Sequence, residues 1–581
     1  MVNLNILPMV PMGAIPSPVK SASKHIIRRR LAEQQPQSQT SYSYATNSQL
    51  VFDINSPSDF IDFANSYLRF NLNCTLLNGS VNEPSKYLSE GGAHCLFRTL
   101  TIETASGTLL QRIDRYNKLY ALLSQAGHSQ SFVNTVLHRA GDSVDIARHN
   151  FPEGQPTHRP VTCTLASVVA AGGVGGAMTL VGGLATSELE VGDFLIIDLA
   201  SSSHTARVDS VVTDTSITIT GAPALTAGQV IRLSVLRETV TRGIDPARKL
   251  IANVADSVVC IQPFAPLLQI SEWFPLFLVR GGLRVTLTLE RPEFCLAAAS
   301  EPLLSGAVPG FSGANCVISN PVWVCDFLTP DQSLTQSYVD MFKGSGIAYT
   351  FMGYKNFMDI MVSGGSGTYV SNINSNVRSA SHILSRLQNI RAETVTSGIA
   401  NSGKSTFTCD SNAQGLKMSL NQYQYQSGSE RFPQAKPISL QSGVSNAEAM
   451  IELERIFGHT GSMLFDKRFY PHEWMDVKQY IKEYESGEVV DASRFIIGAD
   501  LNRDSSPFSG LDCSLAPIRA ELTFAQNTAT ATNFANGQYS LYNKDGSTAT
   551  SGSGVSDRYI HHFLAHSTAL LLSSEGIVSF S

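Results

Sequence analysis

The stretch SYLRFNLNCTLL, residues 66–77, places an apolar side chain at every second position from Leu68 to Cys74, with arginine and asparagine between them. Successive side chains of a strand point to opposite sides of a sheet, so this period of two predicts an antiparallel β-strand with one buried and one solvated face. The same alternation returns in residues 48–57 and 283–289, and glycine, asparagine and serine mark the turns. The sequence therefore predicts an all-β protein.

The bulk composition limits the class of protein. The chain has 581 residues, enough for roughly two to four domains with sizeable cores. Hydrophobic residues make up 43% of the chain but charged residues only 15%, below the roughly 25% of ordinary soluble proteins. A low-charge chain rich in glycine, serine and threonine suits a β-rich protein whose surface is largely covered by neighbours. The formal net charge of −6 argues against a polyanion-binding role for the chain as a whole.

The cysteines and the apolar segments indicate the kind of cellular compartment in which the protein assembles. Nine cysteines are scattered singly, without a C-x-x-C pair, and their number is odd. This argues against a disulfide framework or a zinc site and suits assembly in a reducing compartment. We expect no secretory signal, because prolines interrupt the apolar residues at the start of the chain. Residues 160–187 carry no charge, but their six glycines favour two strands and a glycine-rich loop over a membrane segment.

Residues 1–45 are predicted to form an irregular N-terminal arm, because four prolines punctuate its first half. Its only acid is Glu33, against five basic residues, which gives 5 − 1 = +4 with histidine neutral. One interpretation is contact with nucleic acid or with an acidic inner surface; the other is a solvated tail or a short helix. The candidate contact residues are Lys20, Lys24, Arg28, Arg29 and Arg30.

Residues 158–240 differ from the rest and are rich in glycine, alanine, valine, threonine and serine. They contain an internal echo, because residues 178–199 and residues 217–236 share the order strand, glycine turn, linker, glycine, strand. This repeat predicts a small closed β-barrel inserted in a loop of the larger domain.

Three segments have the pattern of helices. Residues 115–127 place tyrosines and leucines along one side, and residues 445–458 begin with an S-x-x-E capping box. In residues 329–342, Thr329 is the predicted N-cap and Pro330 the first helical residue.

The order along the chain is an arm, many strands, a helix, many strands and a helix again. Two β units of similar make-up predict a duplicated β-sandwich. We place the first unit at residues 46–330, including the barrel, and the second at residues 345–581.

One string matches a nucleotide-binding motif. Gly398–Ser405 fits G-x-x-x-x-G-K-S, which cradles phosphates when a buried strand precedes it and a helix follows it. Here the flanking residues are strand-like on both sides, which favours a hairpin loop. Nucleotide binding at this string remains an alternative function.

Other candidate sites are weaker. His562 and His566 would share one face of a strand but stand too far apart for one metal ion, so we interpret them and His561 as polar strand residues. Residues 471–474 lack the second histidine of H-E-x-x-H, and no G-x-S-x-G elbow is present. Asp59 is interpreted as a turn or cap residue. We therefore predict no catalytic, cofactor-binding or metal-binding residue, no cofactor and no enzymatic activity.

Five segments, taken together and in order, resemble the double jelly-roll major capsid proteins of icosahedral DNA viruses. This lineage includes adenovirus hexon and the capsid proteins of Polintons, virophages, adintoviruses and nucleocytoplasmic large DNA viruses. The resemblance covers most of residues 46–581 apart from the predicted barrel. The segments are residues 51–73, 91–123, 260–290, 317–342 and 423–440, the last followed by the helix pattern.

This resemblance implies two tandem eight-stranded antiparallel jelly rolls with a few short helices. It also implies a homotrimer whose six rolls form a pseudo-hexagonal block that tiles an icosahedral shell. The expected location is the virion, after assembly inside the host cell. The expected partners are the chain itself, neighbouring capsomers, and penton or minor capsid proteins, with genome or an inner membrane meeting the arm. The barrel would then decorate the outer end of the trimer.

A third hypothesis is a β-rich structural protein of another kind, such as a phage fibre or a decoration protein. The outline of the oligomer distinguishes the two structural roles. Hexagonal trimers favour a capsid protein, and elongated trimers favour a fibre.

Overall fold

The computed structural model describes the chain in segments, and all structural statements refer to these. They are residues 25–37, 40–75, 86–89, 91–128, 140, 161–165, 176–181, 194–198, 203–212, 216–220, 230–236, 257–298, 314–361, 367–389, 420–433, 436–440, 447–457, 495–503, 508–524, 558–574 and 576–580.

The first part of the chain is almost entirely β-structure. In β4 and β16 buried and partly exposed residues alternate as the sequence predicted, because one face of each strand packs into the core. The strands are β1 (Ile26–Gln34), β2 (Ser41–Ser43), β3 (Gln49–Ile54), β4 (Phe60–Thr75), β5 (Lys86–Leu88), β6 (Phe97–Thr104), β7 (Leu109–Asp114), β8 (Val161–Leu165), β9 (Gly176–Val181), β10 (Phe194–Asp198), β11 (Ser203–Val212), β12 (Ser216–Thr220), β13 (Val230–Leu236), β14 (Ser257–Ile261), β15 (Phe274–Pro275), β16 (Leu283–Leu289), β17 (Leu296–Ala298) and β18 (Asn315–Pro330).

Eight of these strands form a jelly roll, which we call roll 1. One sheet has the order β1-β18-β4-β14, with β2 beside β18 and β15 beside β4, and the facing sheet has the order β3-β16-β6-β7. Counted along the roll, these orders are first-eighth-third-sixth and second-seventh-fourth-fifth, the arrangement of a jelly roll. Every strand pair in the two sheets is antiparallel. Phe52 and Trp323 meet edge to face at 5.5 Å and join the two sheets across the core.

The second part of the chain repeats the same kind of structure. Its strands are β19 (Ile347–Met361), β20 (Gly367–Ile373), β21 (Ala380–Asn389), β22 (Leu420–Ser427), β23 (Glu430–Phe432), β24 (Ile438–Ser439), β25 (Ile497–Asp500), β26 (Ile518–Phe524), β27 (Arg558–Ser573) and β28 (Gly576–Phe580).

These strands form roll 2 with the same topology. One sheet has the order β19-β27-β21-β25, with β28 beside β27, and the other has the order β20-β26-β22-β23, with β24 beside β22. The orders are again first-eighth-third-sixth and second-seventh-fourth-fifth. The predicted fold class, two tandem antiparallel jelly rolls, is therefore confirmed by the strand order itself.

The predicted small barrel is also confirmed. Six strands close in the order β10-β11-β12-β9-β8-β13, all pairs antiparallel. The barrel enters the chain between the fifth and sixth strands of roll 1, β7 and β14, in a connection where extra chain leaves the sheets undisturbed.

Few helices accompany the strands. Two of the predicted helices form where expected, but the third begins later: Asp331, not Thr329, is its N-cap, and Pro330 still belongs to β18. The Asp331 carboxylate accepts the amide N–H of Leu334 at 2.8 Å, which a threonine two positions earlier could not do. The helices are α1 (Tyr116–Gly127), α2 (Pro292–Cys295), α3 (Gln332–Lys343) and α4 (Ala447–Ile456).

The predicted irregular arm is wrong for its second half. Residues 26–34 form β1, which pairs with the last strand of roll 1 from Ile26 opposite Pro330 to Gln34 opposite Trp323. The prolines that suggested irregular structure all precede residue 19, and the strand begins well after them. Residues 1–24 lie outside the described residues.

No helix among the described residues has both the length and the apolar character needed to cross a membrane.

Candidate functional site: the basic strand, the roll junction and the buried histidines

The predicted contact residues fall partly on β1, which we call the basic strand. Lys20 and Lys24 lie outside the described residues. Arg28, Arg29 and Arg30 follow one another on β1, at the edge of the first sheet of roll 1. Neighbouring residues of a strand point to opposite faces, so the three guanidinium groups do not form a single patch.

Arg29 neutralises a buried carboxylate of its own chain. Its Nε donates to Asp326 Oδ2 at 2.9 Å, and Asp326 is fully buried on β18. The Asp326 amide N–H in turn donates to the Ser66 hydroxyl at 3.1 Å. The hydrogen bond and the charge of Asp326 raise the pKa of Arg29. A buried carboxylate without a cation is costly, so Arg29 has a structural role.

Arg30 serves a second buried acid. Its Nη2 lies 2.8 Å from Asp59 Oδ2, and its guanidinium lies over the Phe327 ring at 5.3 Å. Asp59 also accepts from Ser56 at 2.8 Å and from Thr329 at 2.7 Å. Burial alone would raise the pKa of Asp59, but the hydrogen bonds from Arg30, Thr329 and Ser56 outweigh it, and the net pKa is lowered. Asp59 thus anchors the basic strand.

All three arginines are exposed, and Arg28 differs from the other two in having no buried acid beside it among the described residues. Within the described part of the chain it forms no ion pair. The predicted contact with a polyanion therefore depends on Arg28 here, together with Lys20 and Lys24.

A second feature is the roll junction, where α1 of roll 1 meets β21 of roll 2. Lys118 donates to the Gln388 amide oxygen at 2.5 Å, and Arg386 donates to the Gln125 amide oxygen. Each roll thus supplies one cation and one amide. Both cations are almost fully buried, with Lys118 2% and Arg386 1% exposed. A buried cation needs its partner, so these contacts specify how the rolls sit against each other.

Local geometry explains why each roll can supply one cation and one amide to the roll junction. Lys118 and Gln125 are seven residues apart, which is two helical turns, so they share one face of α1. Arg386 and Gln388 are two residues apart and share one face of β21. Sequence reasoning missed all four residues, because each contact joins positions more than 260 residues apart. The one available signal was Lys118, the single charged residue of this helix.

Aromatic contacts extend the roll junction. The rings of Phe264 and Tyr354 lie 5.9 Å apart, and those of Phe274 and Tyr349 lie 5.4 Å apart. The Tyr349 hydroxyl donates to the Trp273 carbonyl at 3.2 Å, and burial raises the pKa of Tyr349 well above its usual value. These aromatic rings add apolar contacts to the roll junction beside the buried side chains of Lys118 and Arg386.

The three histidines on β27 point to both faces of that strand. His561 lies in a row of rings with Tyr559 and Phe563, at 6.4 and 6.2 Å. His562 points into the sandwich of roll 2, with Nδ1 2.6 Å from Ser385 Oγ and Nε2 3.1 Å from Ser371 Oγ. A neutral imidazole has one donor and one acceptor, and the two hydroxyls can satisfy both.

Burial holds His562, His566 and His382 neutral. It lowers the pKa of His562 to about 3, with nearby Asp359 opposing the shift. It lowers the pKa of His566 to about 4, assisted by the charge of Lys355, and that of His382 on the neighbouring strand to about 4. Within the described ranges, no group of three or more histidine, cysteine or acidic side chains is arranged to hold a metal ion. The phosphate-loop-like string Gly398–Ser405 and residues 471–474 lie outside the described residues.

The comparisons with known proteins concern the fold. No protein-family model matches the sequence, and no curated protein matches it. Among solved structures, the chain is similar to a chain of the Sputnik virophage, with 11% identity, a TM-score of 0.45, and coverage of 98% of this chain and 91% of that one. It is similar to the Faustovirus major capsid protein, with 9% identity, a TM-score of 0.43, and coverage of 97% and 93%. It is similar to the mavirus major capsid protein, with 9% identity, a TM-score of 0.40, and coverage of 98% and 93%. The double jelly roll itself is established by the strand order of this chain.

Proposed function

We propose that this chain is a major capsid protein of an icosahedral DNA virus and acts as a structural protein, not an enzyme. The observation that carries the proposal is the pair of jelly rolls of identical strand order, held against each other by the roll junction. Five sequence segments that resemble the double jelly-roll capsid lineage support it.

A capsid subunit must keep a fixed shape, and the roll junction would hold the two rolls in one arrangement. Separating the rolls would expose the Phe264–Tyr354 and Phe274–Tyr349 contacts to water. Buried apolar surface is worth about 25 cal/mol per Å², so such an interface favours one fixed arrangement. Three copies would then place six rolls in a ring of closed three-fold symmetry, and the blocks would meet neighbouring capsomers, penton and minor capsid proteins through heterologous contacts.

The strand register of roll 1 supports the assignment of an inner end and an outer end to the proposed capsid subunit. The basic strand starts at Ile26, opposite Pro330, at one end of β18. The chain returns from the barrel at Ser257, opposite Leu72, which itself lies opposite Ile318 near the other end of β18. From residue 318 to residue 330 is 330 − 318 = 12 residues, or about 40 Å of extended strand.

We therefore place the barrel at the outer end of the trimer and residues 1–24 at the inner end. There Lys20, Lys24 and Arg28 would meet genome, an inner membrane or a minor capsid protein. Residues 345–581 remain our proposed limits for the second domain and residues 158–240 those of the insertion. The first domain, predicted at residues 46–330, has to begin at Ile26 instead, because β1 is the first strand of roll 1.

Light scattering with size-exclusion chromatography tests the assembly. We expect a mass three times the 62.7 kDa of one chain, and negative-stain microscopy should show particles of hexagonal outline. Elongated particles would point to a fibre protein, and a monomer at all concentrations would contradict the proposal.

A further inference from the structure

The structure brings together cysteines that are scattered in the sequence. Cys74 near the end of β4 and Cys316 near the start of β18 are directly opposite each other in the antiparallel pair. Their Sγ atoms lie 3.3 Å apart, although the residues are separated by 242 positions. Cys74 is half-buried and Cys316 is buried.

The backbone geometry of this pair suits a disulfide. Directly opposite residues in an antiparallel pair have Cα atoms about 4.5–5.5 Å apart, inside the range of about 4.4–6.8 Å found in disulfides. A disulfide bond is about 2.05 Å long, so the two sulfur atoms need to approach by little more than about 1 Å. Side-chain rotation and a small adjustment of the strands can supply that movement.

A second cysteine pair nearby behaves differently. Cys95 and Cys295 are both fully buried, and each thiol donates to the backbone carbonyl of the other residue at 3.3 Å. Burial raises the pKa of Cys295 well above its usual value, with further contributions from Cys95. Reactive thiols are accessible thiolates, so Cys74 is the one of these cysteines that a small oxidant can reach.

We propose that Cys74 and Cys316 form a redox-responsive thiol pair that closes to a disulfide by exchange with a low-molecular-weight disulfide such as oxidised glutathione. The Cys74 thiolate attacks the small disulfide, forms a mixed disulfide and releases one small thiolate. The Cys316 thiolate then attacks the Cys74 sulfur and releases the second. The two protein thiols lose two electrons and two protons, and the small disulfide is reduced to two thiols.

The bond would cross-link the third and eighth strands of roll 1 around a loop that contains the inserted barrel. Cross-links that close long loops restrict the unfolded chain most, so the oxidised protein should unfold at a higher temperature. The pair would stay reduced inside a cell and close outside it. The inference does not rest on the proposed function.

The test uses the full-length protein treated with oxidised glutathione, then alkylated and digested with trypsin without reduction. We expect thiol titration in denaturant to fall from nine per chain to seven, with residues 70–86 linked to the peptide that contains Cys316. Because Cys295 and Cys325 lie on that same tryptic peptide, fragmentation must identify which cysteine is bonded.

Cys74→Ser and Cys316→Ser should each abolish the link, whereas Cys260→Ser, a partly exposed cysteine of the same sheet, should retain it. Melting under reducing conditions checks that each variant is folded. A wild-type titre that stays at nine, a link to Cys295 or Cys325, or glutathione that remains attached to Cys74 would each overturn the proposal. The wild-type result needs no variant.

Discussion

Acidification should destabilise roll 2 through its buried histidines. His562, His566 and His382 have pKa values lowered to about 3, 4 and 4, from 6.5 when unfolded. The unfolded chain therefore binds more protons between these values, so stability is complete above pH 6.5 and is lost as the pH falls below it. At pH 5 each histidine lowers the free energy of unfolding by about 2 kcal/mol, and the three together lower it by about 6 kcal/mol.

Equilibrium urea unfolding at pH 7.5 and pH 5, at constant protein concentration, measures this loss. The pH range stays above the ordinary pKa of aspartate and glutamate, which limits the contribution of carboxylates. The variant His566→Gln provides the matched comparison: its drop between the two pH values should be about 2 kcal/mol smaller than that of the wild type. Comparing drops cancels the cost of the substitution itself. Equal stability at both pH values, or equal drops in both proteins, would refute the reasoning.

Three further experiments test the basic strand, the roll junction and the phosphate-loop-like string. Arg29→Ala leaves a buried carboxylate uncompensated and should lower the free energy of unfolding by about 2 kcal/mol, whereas Arg28→Ala should change it by less than about 0.5 kcal/mol in the same urea titration. Arg386→Ala removes a buried hydrogen bond to the Gln125 amide oxygen and leaves a cavity between the rolls, so thermal unfolding should show a loss of about 3 kcal/mol; an unchanged midpoint would contradict the junction. Calorimetric titration with Mg-ATP should show no binding to wild type or to Lys404→Ala; measurable affinity that the variant loses would establish a nucleotide site.

The local alternation of apolar and polar residues was enough to predict a strand wherever one face of the strand is buried and the other is solvated. The alternation in residues 66–77 predicted β4, and that in residues 283–289 predicted β16. The helix over residues 115–127 followed from its apolar side and formed as α1. The echo within residues 158–240 predicted a closed barrel, because a repeated strand unit needs neighbours to cover its edges.

Prediction failed where a segment takes its structure from a distant partner. Residues 26–34 carry five exposed positions in a row and no clean alternation, and they become a strand because β18 offers a free edge. The N-cap of α3 moved from Thr329 to Asp331 because β18 continues to Pro330.

By itself the sequence determined the class of fold, the duplication and the inserted barrel, because hydrophobic periodicity and turn residues act over a few neighbours. Only the tertiary structure decided that Arg29 and Arg30 neutralise buried acids, that Lys118 and Arg386 face partners in the opposite roll, and that Cys74 meets Cys316. Those contacts join residues that are between 29 and 297 positions apart in the sequence. Which residues meet at such separations depends on the order and register of the strands. The sequence of a single strand carries no signal for either.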